Sequence, residues 1–237
     1  MKRTPTFSLR EMLLSLLRVN VLWQRLPTRR VYLKQVYFSG LQSLPLVLLV
    51  GAAVSGIIVD QLRTFGESPK RSMDILLTIT LSELAPLLTA FLMAARSAPA
   101  MASELATMQV NGEVRLLLRL GVPPLGYLVI PRIAAMATGS VLLTIYFAFA
   151  AMFAGSAFAA QAHMFAALAS IDESMRIGIM LLCIMKSLLF GITIALVACH
   201  TGLAAGRSFT DVPIAASRAV VRALACVFIL DLMLVAL

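Results

Sequence analysis

The chain has 237 residues, of which 60% are hydrophobic and 13% are charged, against roughly 45–50% apolar and about 25% charged residues in a soluble domain. This composition excludes a water-soluble fold and indicates an integral membrane protein. Lys and Arg number 20 against 11 Asp and Glu, a formal net charge of +9. Such an excess in an apolar chain is more typical of cytoplasmic loops than of nucleic-acid binding.

The first 38 residues are basic, and charge repeatedly interrupts their apolar stretches, unlike the continuous apolar region of a signal peptide. A group of charged residues shares about a third of a helical wheel, opposite apolar side chains. Its members are Arg10, Glu11, Arg18 and Arg25. We therefore predict that residues 1–38 form an interfacial amphipathic helix region on the cytoplasmic leaflet, followed by one membrane domain over residues 39–237.

Hydropathy predicts an all-α membrane domain with five spanning helices, each about 20 residues or longer. The predicted spans cover residues 41–62, 73–97, 125–160, 175–203 and 213–237. Basic residues concentrate before the first span, between the second and third, and between the fourth and fifth. The positive-inside rule then places the N-terminus in the cytoplasm and, with five spans, the C-terminus outside.

The predicted cytoplasmic connection over residues 98–124 carries charged residues among apolar ones. The stretch from Met101 to Leu120 contains no proline and carries Glu104, Arg115 and Arg119 among apolar residues. We therefore expect a short amphipathic helix there. The prolines of Gly121-Val122-Pro123-Pro124 would end it. Such a helix would offer a docking surface to a soluble partner. The alternative is a connector that only lies at the membrane interface.

Three ionisable residues sit where hydrocarbon should be in the second, fourth and fifth predicted spans, namely Glu83, Lys186 and Asp231. Each costs roughly 2.5–3.5 kcal/mol at the centre of a span unless it faces protein or water. We therefore predict that they face inward and that Lys186 pairs with Glu83 or Asp231, with Arg222 as a further cation. A network of this kind either fixes helix packing alone or serves transport or gating.

Helix shape and helix packing leave further signals in the first two spans. Pro86 follows Glu83 by three residues and removes a backbone donor, so we expect the second span to bend near the charge. Runs of small residues at Gly51-Ala52-Ala53 and Ala94-Ala95 favour close helix packing over contact with a substrate.

The sequence offers little for catalysis or cofactor binding. Cys183, Cys199 and Cys226 lie in apolar stretches without metal-ligand spacing, and the two histidines are far apart, so we predict no metal site and no cofactor in this chain. It also lacks the Gly-x-x-x-x-Gly-Lys-Ser/Thr phosphate loop. ATP and Mg²⁺ would therefore have to be bound by a partner subunit.

Four ordered blocks of sequence resemble the MlaE-type permeases of ABC transporters. The first is Ser82-Glu83-Leu84-Ala85-Pro86 through Ala102-Ser103-Glu104-Leu105-Ala106-Thr107-Met108, and the second is Leu120-Gly121-Val122-Pro123-Pro124 with Tyr127 to Arg132. The third runs from Lys186 to Leu203, and the fourth comprises Ala216 to Arg222 with Leu230-Asp231-Leu232. The family usually has Arg-Glu-Leu-Gly-Pro in the first block, so an arginine beside Glu83 is replaced here by Ser82.

The resemblance implies a homodimeric permease of a bacterial inner membrane that moves phospholipids or related lipids between the inner and outer membranes. It further implies a cytoplasmic ATPase dimer, an MCE-domain substrate-binding protein and, in some systems, a STAS-domain subunit. The helix over residues 101–119 would be the coupling helix, with Glu104, Met108, Arg115 and Arg119 facing the ATPase. A lipid would be held at the dimer interface between the first, second and fifth spans.

Two other classes of function remain open from the residues alone. A membrane-embedded lipid-modifying enzyme would need a convergent polar site, for which only Glu83, Lys186 and Asp231 are available. A non-transporting assembly subunit would need no interior charges. Of the three classes, only the transporter requires an ATPase on the coupling surface.

Overall fold

A computed structural model describes residues 26–65, 75–76, 78–160, 173–206 and 208–236. All regular secondary structure in these ranges is helical, which confirms the predicted all-α class. The α-helices are α1 (Leu26–Ser39), α2 (Leu44–Thr64), α3 (Ala85–Val110), α4 (Glu113–Arg119), α5 (Ile130–Ala160), α6 (Glu173–Leu203) and α7 (Asp211–Val235).

Four stretches of the described chain are long and apolar enough to cross a membrane, which supports a multi-pass membrane protein. They are Val31–Leu62, Thr80–Val110, Leu125–Ala157 and Gly178–Leu203. Helix α7 has 25 residues and occupies the predicted fifth span, but it is not one of these four, so the count of five spans stays a prediction. Of the predicted interfacial region over residues 1–38, the part with Arg10, Glu11, Arg18 and Arg25 lies outside the described residues. Residues 26–38 lie in α1, and from Val31 onward they belong to the first of the four apolar stretches.

Helix α5 is central to the bundle. It packs against α2 on one side and against α6 and α3 on another, while α3 also packs along α6. Helix α7 lies across α3 and α6 and turns a row of small residues toward them. This row comprises Ala215, Ala219, Ala223 and Val227. The large side chains of Phe147 and Phe190 fill the core.

Small residues allow the helices to approach closely, as predicted from the runs in the first two spans. A Cβ atom on Gly51 would lie 3.0 Å from the carbonyl oxygen of Phe147 on α5, and one on Gly202 would lie 2.7 Å from that of Ala102 on α3. Ala94 and Ala98 are fully buried. Backbone contact of this kind is a general means of packing helices in membranes.

Helix α3 is longer than the predicted second span and corrects the predicted coupling helix. It continues through Pro99 to Val110, so residues 101–120 do not form one separate helix. The reason is the packing of its far half, where one face stays buried at helical spacing. The buried residues are Ala98, Met101, Ala102, Leu105, Ala106 and Gln109. Tertiary packing of that face outweighs the hydrogen bond lost at Pro99.

A sharp joint separates α3 from α4. Asn111 caps α3, and Gly112 has φ 78°, a left-handed conformation that glycine adopts without steric cost. Helix α4 then ends at Arg119, and Gly121 has φ 73°. The prediction that the segment ending in Pro123-Pro124 stops the helix is confirmed. We call the end of the bundle that carries α4 the α4 end.

Two π-helical turns each lead directly into a helix with an early proline. One covers Thr80–Leu84 and precedes Pro86, and the other covers Leu125–Val129 and precedes Pro131. Proline cannot donate to the carbonyl four residues before it, and π turns are frequent at functional sites. A π turn therefore lies where the second span was predicted to bend, and the bend itself stays a prediction.

Candidate functional site

An ion triad lies between α6, α7 and the π turn that leads into α3. The Nζ atom of Lys186 is 2.6 Å from Oε2 of Glu83 and 3.3 Å from Oδ1 of Asp231. The side chain of Lys186 is 10% exposed and that of Asp231 is 14% exposed. The structure thus brings together the three residues that sequence reasoning selected, and the cost of a charge in hydrocarbon is what identified them.

Pro86 and the π turn help to build this site. Because Pro86 has no N–H group, it leaves the carbonyl of Ser82 without its usual donor four residues later. That carbonyl oxygen lies 3.5 Å from Nζ of Lys186, at the long limit of a hydrogen bond. The ammonium group therefore faces two carboxylates and a backbone carbonyl, three acceptors that match its three donors.

The charges of the triad do not balance. With all three groups ionised, one ammonium and two carboxylates sum to −1. Glu83 carries the most accessible of the three side chains, at 42% exposed, so the excess negative charge lies on the outward side of the site. A cationic or hydrogen-bond-donating group approaching that side would be attracted to it.

Arg222 is not part of this triad. It is exposed on α7, nine positions before Asp231, and it makes no ion pair within the described residues. Nine residues cover two and a half helical turns, so the two side chains lie about 13 Å apart along the helix axis and point in different directions. The expectation that Arg222 adds a further cation is therefore not met in the chain.

A second ion pair, which sequence reasoning missed, lies toward the α4 end. Nη2 of Arg132 on α5 is 3.1 Å from Oε2 of Glu104 on α3, with side chains 3% and 45% exposed. Nη1 of Arg132 also donates to the carbonyl of Leu128 at 3.0 Å. Among the described residues, its buried Nε atom has no hydrogen-bond partner. Sequence reasoning did not single out Arg132, although its place in the run Ile130-Pro131-Arg132-Ile133 indicates a buried position.

The predicted ATPase-facing residues separate into two groups. Arg115 and Arg119 lie on α4 and line a surface pocket of about 390 Å³ together with Asn111, Gly112, Glu113 and Leu116. Met108 is half-buried on α3 and packs against the core. Glu104 forms a salt bridge with Arg132. The predicted coupling surface is therefore divided between α4 and the exposed side chain of Glu104 on α3.

Arg96 links α3 to the junction between α1 and α2. Its Nη1 donates to Oγ of Ser43 at 2.8 Å and its Nη2 donates to Oε1 of Gln42 at 3.1 Å. Both acceptors belong to the short 3₁₀ helix Leu41–Ser43. This contact fixes the start of α2 against the middle of α3.

No group of three or more His, Cys, Asp or Glu side chains able to hold a metal ion occurs in the described ranges. The polar groups that the structure does assemble are two sets of paired charges inside a bundle of apolar helices. Paired interior charges in membrane-crossing helices are characteristic of transport pathways and of the contacts that organise them. The fold and the two sites together define a multi-pass membrane protein with paired charges among its helices, an arrangement that transporters share.

The chain belongs to the MlaE permease family, because the family model described as Permease MlaE matches residues 32–237. A probable ABC transporter permease protein of Synechocystis is 30% identical over 210 residues, which cover 85% of this chain and 79% of the relative. The chloroplastic protein TRIGALACTOSYLDIACYLGLYCEROL 1 of Arabidopsis thaliana is 31% identical over 211 residues, and the match spans 85% of this chain and 59% of the plant protein. A probable ABC transporter permease protein of Rickettsia typhi is 29% identical over 195 residues, covering 80% of this chain and 75% of the relative.

Proposed function

We propose that this chain is the membrane subunit of a transporter that moves phospholipids or related lipids between the inner and outer membranes of a bacterium. The observation that carries the proposal is the Glu83–Lys186–Asp231 triad within the apolar helices of an MlaE-family chain. A lipid has apolar tails and a polar headgroup. The charged side chains of the triad would contact the headgroup, and the apolar helix surfaces around the triad would contact the tails. The Arabidopsis relative, which is named for trigalactosyldiacylglycerol, supports a lipid cargo.

The energy for transport comes from a separate ATPase that docks on α4. ABC transporter permeases work with an ATPase partner, and several relatives are named as such permeases. Arg115 and Arg119 give the pocket on α4 two positive charges against the single negative charge of Glu113, and Leu116, Leu118 and Leu120 are exposed beside them. This combination suits a partner groove with an apolar floor and acidic groups. Glu104 and Met108 act behind this surface.

Two copies of the chain form the membrane unit, and the lipid lies between them. Outward-facing apolar side chains on α7 support such an interface or contact with the membrane. They are Val221, Phe228, Ile229, Leu232 and Met233. Closure of the ATPase dimer moves α4 and α3, narrows the space between α2, α3 and α7 of the two copies, and displaces the lipid past the half-exposed Glu83. An MCE-domain protein on the outer side receives or delivers the lipid, and a STAS-domain subunit accompanies the ATPase in some assemblies.

The partner is tested by purifying the tagged chain from its native membrane in a gentle detergent and identifying co-purifying proteins and lipids by mass spectrometry. We expect a stoichiometric ATPase, an MCE-domain protein and phospholipid enriched over the bulk membrane. The double substitution R115E/R119E reverses the charge of α4 and should abolish ATPase recovery. Lys34→Glu, which reverses an exposed charge on α1, is the matched control and should leave recovery unchanged.

Transport itself is tested with the purified complex in proteoliposomes by following ATP-dependent movement of a labelled phospholipid. Recovery of the chain without any ATPase, from a preparation that keeps other membrane complexes intact, would contradict the transporter and favour a lipid-modifying enzyme or an assembly subunit. Conversion of the labelled lipid to a new chemical species, instead of its movement, would identify the enzyme.

A further inference from the structure

We propose that Arg132 is a positioning residue of the transport step. It holds the α4 end of α3 to the first turn of α5, so that movement of α4 is transmitted to α5. This inference rests on the proposed function, since it presumes an ATPase that moves α4. The geometry that carries it is one guanidinium bonded both to Glu104 of α3, at 3.1 Å, and to the carbonyl of Leu128 in the π turn before α5, at 3.0 Å.

Helix α4 has one principal neighbour. Its main packing contact in the described part of the chain is with α3, and Val114 anchors it with a fully buried side chain. The joint at Asn111-Gly112 is only two residues long. A displacement of α4 therefore acts first on the end of α3, where Glu104 lies six residues before Val110.

The end of α3 is tightly packed against α6 as well. Gly202 of α6 has so little room that an added Cβ would lie 2.7 Å from the carbonyl oxygen of Ala102 and 2.8 Å from Cβ of Leu105. The Sγ atom of Cys199 lies 3.6 Å from Sδ of Met101. Since packed interiors respond as rigid bodies rather than by continuous deformation, this segment of α3 moves together with what it contacts.

The Glu104–Arg132 pair is the charged contact between this segment and α5. The side chain of Arg132 is 3% exposed, whereas that of Glu104 is 45% exposed. The arginine is therefore fixed within α5, and the glutamate carboxylate is the partner that can move away from the ion pair. In the described part of the chain, the buried Nε of Arg132 has no hydrogen-bond partner. A buried cation strongly favours keeping its carboxylate, because separation would leave the charge uncompensated.

The test compares complexes of the full chain with its ATPase that carry Glu104→Gln, Arg132→Met or the double substitution E104L/R132M. Replacement of a buried ion pair by apolar side chains often preserves or raises stability, so the double variant separates positioning from folding. We expect it to assemble with the ATPase and hydrolyse ATP but to move at least about fivefold less lipid per ATP, the lower range of ordinary coupling between two sites. Asp60→Asn, which neutralises an exposed carboxylate on α2, is the control and should keep the wild-type ratio.

Several results would overturn the inference without touching the proposed function. A wild-type lipid-to-ATP ratio in the double variant would show that the pair only stabilises the fold. The same holds if Arg132→Met lowers the yield of folded protein and the double variant restores both yield and ratio. If the wild-type complex itself contains no ATPase or moves no lipid, the proposed function fails, and this inference fails with it.

Discussion

The two sets of buried charges in this protein differ in how their positive and negative groups balance. Lys186 is shared by two carboxylates, Glu83 and Asp231, whereas Arg132 is matched by the single carboxylate of Glu104. The first set carries an excess negative charge with its most exposed member facing outward, and the second is neutral. An unbalanced, half-open site is suited to meeting a polar ligand, and a balanced site with a buried arginine is suited to holding two helices together.

Lys186→Met should destabilise the protein, because it leaves two carboxylates without their shared cation. Breaking a buried ion pair from one side costs about 3–5 kcal/mol, and the partly exposed Glu83 places this case toward the lower value. We expect a clear fall in Tm of the detergent-purified protein, measured by a thermal shift assay. Adding Asp231→Asn should recover part of the loss, since it removes the more deeply buried of the two stranded charges.

The matched control is Lys34→Met, which removes an exposed lysine on α1 whose Nζ lies 5.9 Å from the ring centre of Phe38. It should change Tm little, because exposed charge contacts contribute only about 0–1 kcal/mol. An unchanged Tm for Lys186→Met would mean that Glu83 and Asp231 are solvated or separated in the membrane, and that the triad is not a stabilising contact.

The sequence predicted the triad but not the second ion pair, and the difference has a physical cause. The cost of a charge in hydrocarbon marks Glu83, Lys186 and Asp231 because each lies inside a long apolar stretch of the sequence. Glu104 escaped the same reasoning because the second span was ended at residue 97. Arg132 escaped it because it lies near the start of the third predicted span, where a long cationic side chain can reach the membrane interface. Arg222 shows the opposite error, because span membership alone does not say which face of α7 a residue occupies.

At the scale of helices, segments with continuous apolar character were predicted closely. The predicted spans 125–160 and 175–203 match the helical ranges, with α5 and its π turn reaching Ala160 and α6 ending at Leu203. The far half of α3 was predicted to be helical, but as part of a separate helix over residues 101–119, because Pro99 and the charges beyond it indicated a connection after the second span. The neighbouring helices bury one face of residues 98–109, and this packing keeps α3 continuous through Pro99.

Gly191→Ala should destabilise the packing of α6 on α5. An added Cβ would lie 2.7 Å from the carbonyl oxygen of Met136 and would also collide with Oγ of Ser140, which donates to the carbonyl of Ser187 at 2.8 Å. The backbone cannot yield as a flexible side chain would, so the two helices must separate. Overpacking of this kind costs about 1–3 kcal/mol, to be measured as a lower midpoint in denaturant titration of the detergent-purified protein.

Gly178→Ala on the same helix is the natural comparison. An added Cβ there meets nothing within 4 Å, and alanine favours a helix over glycine by about 1 kcal/mol. We therefore expect an unchanged or slightly higher midpoint. Equal effects of the two substitutions would show that α6 does not rely on close contact with α5 at Gly191.

At the scale of the whole molecule, the structure gathers two arginine-bearing connections at one end. The segment between α6 and α7 meets α3 there, where Ala205 and Ala215 pack with Ala106. Arg115 and Arg119 on α4, together with Arg218 in the first third of α7, belong to this end of the bundle. By the positive-inside rule, this clustering supports an α4 end that faces the cytoplasm.

The orientation and the number of spans are tested together by reporter fusions in a bacterial membrane. Alkaline phosphatase is active only outside the cytoplasm, so a fusion after Gly121 should be inactive and a fusion at the C-terminus should be active if α7 crosses the membrane. A green fluorescent protein at the same two positions should give the reverse pattern. If both phosphatase fusions are inactive, α7 does not cross and the chain has an even number of spans; if the fusion after Gly121 alone is active, the predicted orientation is inverted and α4 cannot meet an ATPase that works in the cytoplasm.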